Sequence, residues 1–136
     1  MPYTDKDYFL NNIKQSELDS LIEDEDGTVN YDNLTAKISA ADSLIDSYLA
    51  SAVTLPLSTV PDIIKQCSFD IAYYYLKTRV DYKDVAKEVK DKYDAAISFL
   101  KAVANKTVSL PGVIIQSTDN SIQYDSEEPD VDRGSY

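Results

Sequence analysis

Histidine is absent from the 136 residues, which removes the commonest catalytic base and metal ligand. Cysteine occurs once, at Cys67, so no internal disulfide can form. Cys67 falls on an apolar helical face, where a buried inert thiol is expected rather than a nucleophile. No apolar run approaches the roughly 20 residues of a membrane span. The N-terminal MPYTDKDYF is polar and acidic, so no signal peptide is expected and cytoplasmic folding fits. Basic residues are scarce, 13 against 24 acids, for a net charge of −11. That balance disfavours sequence-independent binding to nucleic acid. With no base, nucleophile or metal set to assemble, neither an enzyme nor a cofactor is expected.

The charge that is present is unevenly placed. Residues 1–33 hold nine acids against Lys6 and Lys14, residues 34–112 nine acids against ten bases, and residues 113–136 six acids against Arg133. The acidity belongs to the two ends, and the middle is close to neutral. An apolar fraction of 43% suits one globular domain with its own core.

Periodicity predicts an all-α domain over residues 1–112: three long helices near 31–53, 60–79 and 83–105, preceded by two short ones. The middle helix organises the rest. Pro61 and Asp62 suit its first turn, with Ser58 or Thr59 as cap. Ile64, Cys67, Ser68, Ile71, Ala72, Tyr75 and Leu76 then recur at helical spacing. Tyr73 and Tyr74 lie off that face, so the helix should be covered by more than one neighbour. Leu34, Ile38, Ala41, Ile45, Tyr48, Leu49 and Ala52 mark the helix before it, capped by Asn30 or Asp32. Val85, Val89, Tyr93, Ala96, Ile97, Leu100, Val103 and Ala104 mark the one after. Residues 3–13 read as a short helix capped by Thr4, with Tyr8, Phe9 and Ile13 inward. A second short helix starts at Ser16, with Asp19 in a weak capping box. The expected core is Ile45, Leu49, Ile64, Cys67, Ile71, Ile97 and Leu100.

Four patterns invite a chemical reading and favour a plainer one. In Glu23-Asp24-Glu25-Asp26-Gly27, a calcium loop with Gly27 in sixth place would put Ile22 first and Asn33 twelfth, where Asp and Glu belong; a solvated turn fits better. Asp42 and Asp46, one turn apart, read as a solvated pair rather than an acid–base pair. The lysines around Lys87, Lys90 and Lys92 are interspersed with acids and read as a wet face. Tyr48, Tyr73, Tyr74, Tyr75, Tyr82 and Tyr93 lack a basic groove for base stacking and read as core and interface packing.

Past Leu110-Pro111-Gly112 the chain changes character. Val113, Ile114 and Ile115, then Ile122 and Tyr124, are β-prone segments flanking a Thr118-Asp119-Asn120 turn. They read as an acidic, extended C-terminal arm over 113–136, ordered by a partner it binds through those five residues. The acidic end, Asp125–Asp132, would meet a basic patch.

Together these features resemble the gp36-like proteins of Mu-like phages and prophages. The matching pieces are the tyrosine-containing first helix, the Asp24–Gly27 turn and Ala41-x-x-Leu44-Ile45-Asp46-x-Tyr48-Leu49. Leu55-Pro56-Leu57-x-x-Val60-Pro61 follows, then Cys67-x-x-Asp70-Ile71-Ala72-x-Tyr74-x-Leu76. Tyr93-x-x-Ala96-x-x-Phe99-Leu100 and Leu110-Pro111-Gly112 complete the set. The resemblance covers roughly residues 3–112, and the arm departs from it. It implies a structural virion protein: a head–tail connector, or adaptor, in a ring of twelve copies. The implied partners are the portal and the next neck or tail ring protein, with DNA passing through without specific binding. The implied location is the virion neck, after assembly in the host cytoplasm. The alternative is a small acidic helical regulator or DNA mimic binding a basic partner; a mimic should spread carboxylates over its folded surface, whereas here they gather at the ends.

Overall fold

The computed structural model describes residues 2–81 and 85–110. They form α1 (Lys6–Asn12), α2 (Gln15–Ile22), α3 (Tyr31–Leu49), α4 (Asp62–Asp81) and α5 (Lys87–Ala104). The expected all-α bundle of three long and two short helices is what the described residues form. The 111–136 stretch, and with it Val113, Ile114, Ile115, Ile122 and Tyr124, lies outside the described residues.

α4 is the hub. It packs on α3, α5 and α2, and its Phe69 ring sits 4.7 Å from that of Phe9 on α1. Ile64, Cys67, Ser68, Phe69, Ile71, Ala72 and Leu76 are all buried, which takes in much of its circumference. A helix apolar nearly all round is stable only when covered on several sides. Burial pushes the Cys67 thiol up to about 12, consistent with an inert packing group. At the start of α4, Pro61 is the buried residue just outside the helix, and its carbonyl accepts from Lys65 N–H at 3.2 Å. The helix thus opens on Asp62, with Asp62 in its first turn and Arg79 in its last, both complementing the helix dipole.

Several expectations are corrected at the helix ends. Thr4 does not cap α1; Asp5 does, accepting from Tyr8 N–H at 2.9 Å, and Thr4 turns inward with only 4% of its surface exposed. α2 begins at Gln15 rather than at a Ser16 cap, and Lys14 before it offers no side-chain bond. Asn30 caps α3 by accepting from Asp32 N–H at 2.9 Å. α3 stops at Leu49, whose carbonyl accepts from both Ala52 and Val53. That tight turn still buries Ala52 and Val53, which is why their spacing reads as more helix. α5 opens at Lys87, after an extended Ala86. It ends in a left-handed residue, Lys106 at φ 63°, followed by Thr107 N–H donating to Ala102 O at 2.9 Å. This is the double-bonded C-terminal cap that usually carries glycine.

The core holds six of the seven expected residues. Ile97 is the exception: it is only partly buried against the core. Ala96, Leu100 and Val103 make up the buried edge of α5, and Ile97 falls on its flank.

Candidate interaction surfaces

The acidic run folds as a turn. Asp24 N–H donates to Thr28 O at 2.8 Å and Gly27 N–H to Asp24 O at 2.9 Å. Gly27 takes φ 85°, a conformation that favours glycine. Asp24 is drawn inward: its Oδ1 accepts from Asn33 Nδ2 at 3.1 Å and its Oδ2 from Asn30 Nδ2 at 3.1 Å. Asn33 also donates to Ile22 O at 2.8 Å, closing the end of α2. Arg79 completes this cap from α4, donating to Leu21 O at 2.8 Å and Glu23 O at 3.0 Å. A cation at a helix C-terminus is favoured there. Nothing in the local spacing of Arg79 signals this role, because its acceptors are more than fifty residues away.

Asp42 and Asp46 are not the solvated pair that their spacing implies. The N-terminal strap, residues 2–5, lies across them. Tyr3 N–H donates to Asp42 Oδ2 at 2.8 Å, and the Tyr3 hydroxyl donates to Asp46. Ser68 Oγ donates to Asp42 Oδ1 at 2.7 Å. Burial pushes the Asp42 carboxyl above its ordinary value, against the lowering effect of these donors. Burial and the Asp46 acceptor likewise push the Tyr3 hydroxyl upward. Both carboxylates therefore hold the strap down.

Beside the strap runs a groove of about 450 Å³. Its floor is Leu34 and Ile38, and its acidic rim is Asp5, Asp42 and Asp46. Lys6 and Tyr31 also line it, with Lys6 Nζ 4.3 Å from the centre of the Tyr31 ring.

Tyr31 aside, the described tyrosines of α3, α4 and α5 form two groups, and Tyr82 lies outside the described residues. Tyr73 stacks on Phe69 with ring centres 5.5 Å apart and its hydroxyl donates to Glu17, joining α2 to α4. Tyr74 and Tyr93 stack at 4.2 Å across α4 and α5, and Tyr75 meets Tyr93 at 6.2 Å. Tyr48 reaches the same group from α3 and helps raise the Tyr75 hydroxyl, behind the larger effects of burial and Tyr93. All four of these rings are only half-buried, so the junction of the three long helices presents an aromatic surface.

Residues 3–124 match the family described as Bacteriophage Mu, Gp36. The chain belongs to this family. A relative, the Mu-like prophage FluMu protein gp36 of Haemophilus influenzae, is 34% identical over 71 residues, 52% of this chain and 47% of the relative. The alignment thus spans about half the length of that relative. The family match runs on to residue 124, past the limit near 112 that the motifs alone support. It takes in Val113, Ile114, Ile115, Ile122 and Tyr124, so the first half of the arm is part of the Gp36 pattern rather than a departure from it. Among the described residues of this Gp36-family protein, no helix is long and apolar enough to cross a membrane.

Proposed function

We propose that this phage protein is a structural, non-catalytic component of the virion neck: a head–tail connector that forms a ring of twelve copies between the portal and the next neck or tail protein. It assembles in the host cytoplasm and lets DNA pass without binding it specifically. The observation that carries the reading is membership of the Mu Gp36 family over residues 3–124. The charge pattern supports it, since a chain of net charge −11 with near-neutral central helices gives phosphates little to hold. Half-buried tyrosines at the three-helix junction suit contacts between subunits. The arm, through Val113, Ile114, Ile115, Ile122 and Tyr124, would add extended chain to the portal or a neighbouring copy.

The test is a phage lacking this chain. Filled heads and free tails should accumulate unjoined, and mass spectrometry of wild-type virions should find the protein in them. Normally joined particles in its absence would overturn the reading. Deleting residues 113–136 should lower its occupancy in the neck.

A further inference from the structure

We propose that the acidic groove beside the N-terminal strap receives a second copy of this chain, through the opposite, tyrosine- and lysine-bearing flank of that copy. This rests on the ring reading above and names the two surfaces that would close the ring.

Successive helical residues are turned by about 100°, so residues two apart lie on nearly opposite sides. Ser39, Ser43 and Asp46 face the groove. Lys37, Leu44 and Tyr48 therefore occupy the other flank. There α5 packs against α3, and Tyr48 joins Tyr75 and Tyr93. Lys90, Ile97 and Lys101 recur along α5 at helical spacing; Lys90 and Lys101 are exposed and Ile97 is half-exposed. One side of the molecule is thus an apolar-floored groove with a carboxylate rim, and the other an aromatic surface edged by lysines.

The charges match across such a contact. Among the described residues the ion pairs are Lys77–Glu17, Lys87–Asp91 and Lys90–Asp94. Asp42 and Asp46 take part in none of them, and neither do Lys37 and Lys101. Among the described residues, Asp42 and Asp46 accept hydrogen bonds only from neutral donors, the Tyr3 N–H and hydroxyl and the Ser68 hydroxyl. A lysine arriving from a second copy would add an opposite charge beside Asp42 and Asp46.

Geometry also selects the symmetry. A two-fold contact of groove with groove would set like charges face to face. Groove against flank is a head-to-tail contact, and repeating such a contact closes a ring when the rotation allows. Charged rims of this kind also make association fall as salt rises.

The experiment uses the full chain, sedimentation velocity and two double variants. Ser39→Lys/Ser43→Lys changes exposed groove positions. Lys37→Glu/Lys101→Glu changes the flank. Thermal melts matching wild type show that each variant folds. Wild type should self-associate, less so at high salt, and each variant alone should run as a monomer. An equimolar mixture of the two should associate again, because each variant supplies the surface that the other has lost.

Variants that assemble like wild type, or a mixture that stays monomeric, would overturn the proposal. So would a wild-type chain that is monomeric at every accessible concentration, a result that leaves a portal-templated neck role standing. Joined particles without the protein would instead remove the neck role and leave the head-to-tail contact in place.

Discussion

The hydroxyls of Thr4 and Ser68 lie 3.0 Å apart inside the bundle, with 4% and none of the two residues exposed. Ser68 has one proton, and it goes to Asp42. Thr4 must then donate to Ser68. The strap, α4 and α3 are joined by this directed chain of three side chains, with Tyr3 N–H as a further donor to Asp42.

Removing the middle of that chain should be felt. Ser68→Ala leaves the Thr4 hydroxyl without its acceptor and strips Asp42 of a donor. The expected loss is about 1–3 kcal/mol, read from urea unfolding. A loss near zero would mean that water takes over both bonds.

Two isoleucines should separate core from flank. Ile71 is fully buried at the hub, so Ile71→Ala should cost about 2–5 kcal/mol from lost burial and the cavity left behind. Ile97 is half-exposed, and Ile97→Ala should cost clearly less. Equal shifts in thermal midpoint would contradict this placement.

The Asp42 shift predicts a pH dependence with a definite sign. Its folded value is raised, so the folded chain binds this proton more tightly than the unfolded one. The contribution from Asp42 therefore grows as pH falls through the interval between the ordinary and raised values, and shrinks as pH rises through it. Asp42→Asn cannot take up that proton. The difference in melting temperature between wild type and variant should move in favour of wild type as the pH is lowered from neutral into the carboxylate range. A pH-independent difference would sink the assignment.

Lys106 occupies a position where a side chain is strained by its own backbone, at φ 63°. Left-handed geometry costs an L-residue about 1–2 kcal/mol and glycine almost nothing. Lys106→Gly should raise stability by about 1 kcal/mol, reduced somewhat by the greater freedom of the unfolded chain. Thermal unfolding of the single variant checks it.

The sequence by itself determined the helices, the hub and the placing of charge. Apolar residues repeating every three or four positions locate α3, α4 and α5, because each stripe records one buried face. The spread of apolar residues around α4 announced a helix covered on several sides, and the Asp24–Gly27 turn followed from its acids and glycine. What only the tertiary structure decided are the partners of polar side chains. Spacing placed Asp42 and Asp46 in solvent, yet Tyr3 and Ser68 reach them from 39, 43 and 26 positions away. Thr4 looked like a cap until Ser68 claimed its hydroxyl, and Arg79 closes a helix 58 positions upstream. Helical periodicity is a property of neighbours along the chain. A hydrogen bond between distant residues exists only once packing has brought the helices together, and the acidic groove is made by that same packing of the strap against α3.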